Sequence, residues 1–175
     1  MAGKRILPVL LCLFCLFFAG CSPREKVILA DQRGYAEGVM GDLLGTEWFT
    51  IRVNKAALTD RYYDAVKADR GEKLAVINLT LESTIDRDVT VFDTDFQLQW
   101  GETDDGYGYP VTAEDPSLSA EGMMEKAYTL KARQKKTGSL VFRVPEGWNE
   151  FWLAFQEFYD TEEEGNTFFI FVQAK

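Results

Sequence analysis

Residues 151–158, Phe-Trp-Leu-Ala-Phe-Gln-Glu-Phe, can be read in two ways, and the choice between them decides the fold. With Trp148 and Tyr159, the aromatic residues Phe151, Trp152, Phe155 and Phe158 fall at the helical intervals i, i+3, i+4 and i+7. They suit a strand equally, because aromatic side chains pack well on a pleated surface. The next apolar run, Thr-Phe-Phe-Ile-Phe-Val-Gln at 167–173, is too short and too aromatic for a helix. Between the two lies the polar, glycine-bearing Asp160-Thr161-Glu162-Glu163-Glu164-Gly165-Asn166, which reads as a hairpin loop. The strand reading is preferred, and a helix over 148–159 is its alternative.

Strand signals extend upstream. Phe49, Ile51 and Val53 alternate with Thr50 and Arg52, and Ile77, Leu79 and Leu81 share one face of the run 74–81. Val89–Phe92 is short and β-rich. Phe96, Leu98 and Trp100 alternate with glutamines, and Leu140, Phe142 and Val144 alternate with Val141 and Arg143. Gly138 permits a tight strand entry, and Pro145, which cannot donate to a ladder, ends that strand. About seven short strands joined by polar turns predict an all-β sandwich over residues 43–175. Gly101–Lys126 carries four glycines and two prolines and reads as a loop crossing one end. Residues 21–42, with Gly34, Gly38 and Gly41, read as a polar tether, a weak helix over 31–39 being the alternative.

Composition narrows the chemistry. The chain of 175 residues has no His and three Cys, and is 46% hydrophobic and 14% aromatic. That suffices for one domain with a real core. Without histidine there is no Ser–His or Cys–His nucleophile pair, and the commonest metal ligand is missing. Carboxylate pairs abound among 28 acids, but none stands out by position. The expectation is a protein that is not an enzyme.

The N-terminus reads as an export signal. Lys4 and Arg5 precede the apolar run Ile6–Ala19. This is shorter than the about 20 residues a spanning helix needs. The run ends Phe17-Phe18-Ala19-Gly20-Cys21, which resembles the lipobox of bacterial lipoproteins. Phe18 stands where that family favours an aliphatic residue. The resemblance implies that residues 1–20 are a signal peptide and that Cys21 carries a diacylglycerol group. Its new amino terminus would take a further fatty acid such as palmitate. The domain would then hang from the outer side of the bacterial cell membrane. Two or three acyl chains hold firmly where one is marginal. Cys12 and Cys15 leave with the signal, so the domain would fold without a disulfide.

A second likeness covers Gly41 to Val172. The stretches Gly41-Asp42, Thr46–Phe49, Ile51–Asn54, Leu74–Leu81, Val91–Phe96 and Thr137–Pro145, with the closing hairpin, are similar to a family of secreted bacterial proteins. That family has an immunoglobulin-like sandwich and is known as a domain of unknown function. The resemblance implies fold and export; it brings no catalytic or ligand-binding residues.

Charge is segregated along the chain. Residues 88–125 hold ten acids and no base, 126–145 six bases and no acid, and 146–166 seven acids and no base. The formal charge is -9, the wrong sign for a nucleic-acid partner. Asp93, Asp95, Asp104 and Asp105, with Glu102, offer oxygen ligands suited to calcium, though their spacing matches no EF-hand; a solvated acidic loop is the simpler reading. Nine aromatic residues crowd 148–171. If Phe151, Leu153 and Phe155 face inward, Trp152 and Phe158 face outward. They then either pack beneath a loop or form a patch that docks an envelope protein or glycan. The leading expectation is a membrane-anchored, non-catalytic binding module; the alternative is a calcium- or small-ligand-binding accessory protein using the loop 93–105.

Overall fold

The structure is a computed structural model that describes residues 26–101, 106–159 and 164–175. The leader, Cys21, Asp104 and Asp105 lie outside the described residues. Fourteen strands and one short helix are formed among those described. The first half holds β1 (Val27–Leu29), β2 (Tyr35–Val39), β3 (Leu43–Gly45), β4 (Phe49–Thr59), β5 (Arg61–Tyr62), β6 (Val66–Lys67) and β7 (Glu72–Ser83). The second holds β8 (Val89–Phe92), β9 (Phe96–Gln99), β10 (Tyr107–Gly108), the helical turn α1 (Val111–Glu114), β11 (Ala127–Leu130), β12 (Lys135–Pro145), β13 (Glu150–Phe158) and β14 (Glu164–Gln173).

They form the expected immunoglobulin-like sandwich of two five-stranded sheets. Sheet A runs β1-β3-β4-β7-β12 and sheet B runs β10-β9-β13-β14-β2. All seven sequence-predicted strands are present, as β4, β7, β8, β9, β12, β13 and β14. The aromatic segment 151–158 is a strand, because its inward residues meet the other sheet. Phe155 touches Phe49 across the interface, with ring centroids 5.3 Å apart, and Phe96 beside it at 5.1 Å. Phe49, Ile51, Val53, Leu79, Leu98 and Ile170 are buried in the same core. A bulge between Val53 and Lys55 resets the phase of β4, so Ala56 also turns inward.

Residues 27–39 depart from the predicted tether. β1 pairs in parallel with β3, and β2 pairs in parallel with β14, so this segment supplies one edge strand to each sheet. Hydrophobic burial overrides the weak local signal: Ala36 is buried, and Ile28 packs against the core. Gly38, read from sequence as a sign of flexibility, is instead a close-packing position. A Cβ there would lie 2.7 Å from Leu44 Cδ1. The loop 101–126 is also tied down. Met123 bridges to Ser139, Pro110 bridges to Phe142, and Ser139 N donates to Gly122 O at 2.7 Å. These contacts blunt the outer edge of β12.

Candidate functional site

The outer faces of the two sheets differ in chemistry. On sheet A, the β5–β6 hairpin and α1 cover a small second core of Val66, Leu74, Val111 and Val141. The rest of that face is polar. Asn54 Nδ2 donates to Asn78 Oδ1 and Thr80 Oγ1, each at 3.0 Å, and the Thr80 and Thr137 hydroxyls lie 2.8 Å apart.

On sheet B the strand register sets Tyr107, Gln99, Trp152, Phe171 and Val39 side by side in one row across all five strands. Five strands at about 4.8 Å spacing make that row about 19 Å wide. The row is apolar apart from Gln99, and Tyr107, Trp152 and Val39 are exposed. Behind it Ala154 pairs with Phe169, whose ring stacks on Tyr35 at 5.2 Å. Trp152 meets Phe171 edge-on, with centroids 5.3 Å apart and planes at 64°.

At the β9–β13 end of this row, Trp100, Trp148, Trp152 and Phe171 line a shallow pocket of about 500 Å³ with Gln99 and Glu150. Three of the chain's four tryptophans therefore converge on it. The fourth, Trp48, lies in a groove of about 590 Å³ at the opposite end of β13, with Phe92, Phe158, Tyr159 and Asp95.

Trp152 and Phe158 both face solvent, at 36% and 53% exposure, so neither lies beneath a loop. They do not form one patch. Six residues of strand put them about 20 Å apart. Trp152 belongs to the tryptophan pocket and Phe158 to the groove.

Asp93 and Asp95 occupy a single 3-10 turn between β8 and β9. Asp93 is 1% exposed, and neither carboxylate oxygen has a hydrogen-bond partner among the described residues. Burial pushes its carboxyl up, against weaker opposition from neighbouring Thr112. Asp95 accepts a hydrogen bond from Phe92 N at 2.9 Å, yet burial still pushes its carboxyl up to about 6. No group of three or more His, Cys, Asp or Glu among the described residues could hold a metal.

Sequence reading missed Glu157. It is fully buried and accepts four hydrogen bonds: Glu47 N at 2.7 Å, Asn166 Nδ2 at 2.8 Å, Asn166 N at 3.1 Å and Tyr159 OH at 3.2 Å. It ties the base of the β13–β14 hairpin to the β3–β4 turn. The signal was its phase, two residues beyond Phe155 on the inward face. The missed tryptophans, Trp100 and Trp148, come from the end of one strand and a turn, and only the register unites them.

The segregated charges also meet in space. Arg133 pairs with Asp86 at 2.7 Å, Lys131 with Asp88 at 3.2 Å, Lys135 with Glu82 at 3.6 Å, and Arg143 with Asp69 at 3.5 Å. Four of the six bases in 126–145 thus face acids on neighbouring segments, and Lys136 Nζ lies over the Tyr128 ring at 3.9 Å. No helix of the described residues is long and apolar enough to cross a membrane.

A family model for a domain of unknown function, DUF4352, matches residues 40–166. No curated protein matches the chain. Among solved structures, the chain is similar to the ycdA protein of Bacillus subtilis, a proposed lipoprotein, with TM-score 0.55 and 15% identity over 75% of this chain. The match spans only 38% of that protein's own length. It is also similar to the yjhA protein of Bacillus subtilis, with TM-score 0.56 and 18% identity over 78% of this chain and 99% of that one. A β-sandwich protein of Clostridium difficile aligns with TM-score 0.48 and 10% identity over 78% of this chain and 93% of its own. The two Bacillus likenesses show the fold.

Proposed function

The chain belongs to the DUF4352 family, and from that premise we propose that it is a lipoprotein binding module without catalytic activity, facing the outside of the bacterial cell membrane. Acyl chains on Cys21 hold it there, and the outer face of sheet B receives an envelope protein or glycan. The observation that carries this reading is the row of exposed Tyr107, Trp152 and Val39 with half-buried Phe171, which no described residue covers while the matching area of sheet A has a cover. The lipobox-like residues and the ycdA likeness support the anchor. Since β1 starts at Val27, only residues 22–26 separate Cys21 from the sandwich. At about 3.5 Å per residue the domain would sit within about 20 Å of the bilayer.

The test has two arms. Fatty-acid labelling should mark the wild type and leave Cys21→Ser unmarked. A photo-crosslinking residue replacing Tyr107, at the edge of the same row, should give an adduct in intact cells, while one at Thr50 on sheet A should give none. An unlabelled wild type, or equal adducts from both positions, defeats the proposal.

One observation favours a second reading, calcium binding by Asp93, Asp95, Asp104 and Asp105: the unpartnered carboxylate of Asp93. Melting with and without millimolar calcium separates the two, since a ligand that binds the folded state raises the midpoint.

A further inference from the structure

We infer that the tryptophan pocket of sheet B binds a small solute bearing an alkylated ammonium group. This rests on sheet B being the binding face and names the chemistry it recognises.

Charge comes first. Among the described residues, the pocket's lining holds one formal charge, the Glu150 carboxylate, and no Lys or Arg. One Glu150 oxygen receives only a long hydrogen bond from Gln173 Nε2, at 3.4 Å. Indole and phenyl faces are negative, so Trp100, Trp148, Trp152 and Phe171 add attraction for a cation rather than neutralising that carboxylate.

Geometry supports the same ligand. A stacked sugar is best served by a flat shelf and free polar partners. Here Trp152 and Phe171 stand at 64° to one another, which makes walls. Gln99 is the one uncharged polar side chain in the lining among the described residues, and one of its N–H groups is already spent on Gln97 Oε1 at 2.7 Å. A compact cation needs faces on several sides and few hydrogen bonds.

The walls are also held in place before any ligand arrives. Gly101 has φ +77, and a Cβ there would lie 3.4 Å from Trp148 Cη2, so this indole rests against bare backbone. Trp100 lies over Gly108 in the same way, 3.3 Å from where a Cβ would stand, and its own N donates to Gly106 O at 2.7 Å. A pre-set cage avoids the ordering cost of assembling one around the ligand.

The test titrates the tryptophan fluorescence of the full chain at constant ionic strength. Choline is the probe, and 3,3-dimethylbutan-1-ol is its uncharged isostere. Choline should give saturable quenching, and the isostere should bind about tenfold more weakly or worse. Trp152→Ala and Glu150→Gln should each weaken choline about fivefold or more, with unchanged circular dichroism. Trp48→Phe, in the far groove, should leave the titration as it was. Equal binding of choline and the isostere, or no saturable response to choline, overturns the inference. If N-acetylglucosamine oligomers saturate instead, and Trp152→Ala abolishes that response, the cation falls while sheet B stands as the binding face. If choline saturates but position 107 gives no adduct in cells, the cage stands and the macromolecular partner falls.

Discussion

Each sheet of this sandwich has apolar residues on its outer face, and the protein treats the two faces in opposite ways. On sheet A, Leu74 and Val141 are roofed by the β5–β6 hairpin and α1, and the remainder is polar and charged, with Thr50, Arg52, Asn54, Thr80, Glu82 and Lys135 side by side. On sheet B, Trp152 and Val39 are exposed and Phe169 and Phe171 only half-buried. Covering apolar surface is worth about 25 cal/mol per Å², so leaving a broad aromatic face wet forgoes stability the fold could have had. One face is built for folding; the other keeps its apolar area available to something else.

Substitutions can break or sharpen this contrast. The largest effect is expected under the roof. Leu74→Ala empties a fully buried site and should cost about 3 kcal/mol in urea unfolding. Glu157→Gln comes next, at about 2 kcal/mol, because an amide nitrogen must then face a donor where a carboxylate oxygen accepted. A small cost there would mean the hairpin base is not tied as described.

Asp95 gives an effect of the opposite sign. Its folded value of about 6 stands above the ordinary 3.8. Its contribution is therefore fully present below about pH 4 and lost as pH rises through 6. Asp95→Asn should raise stability at pH 7.5 by roughly 1 kcal/mol after allowance for its partial exposure, and give no gain at pH 4. A melting-temperature series across that range reads the difference between variant and wild type.

The smallest change in stability belongs to the bare face. Trp152→Ser should cost about 1 kcal/mol or less while removing adducts and ligand quenching. A cost as large as that of Leu74→Ala would erase the distinction between the faces.

The long elements were legible because a strand with one face buried writes its period into the side chains. Phe49, Ile51 and Val53 did so, as did Phe151, Leu153 and Phe155. The short edge strands were not. β1, β2 and β3 have three to five residues each, and β2 is placed by a partner far along the chain, its Glu37 lying opposite Phe169 of β14. Half of the candidate site was visible as outward aromatics. Its division into two clusters was not, because proximity across strands depends on register. Trp100 and Trp152 are 52 positions apart in the chain and meet only once β9 and β13 align.

The pairing of β2 with β14 has a consequence for how the protein is made. β14 lies between β13 and β2, so residues 35–39 have no strand to pair with in sheet B until residues 164–173 exist. Sheet B cannot close on a nascent chain, and the domain waits in an open form until its final segment is available. For the exported protein proposed above, this delay would be useful: the topology itself postpones compaction of sheet B until its last strand has been made.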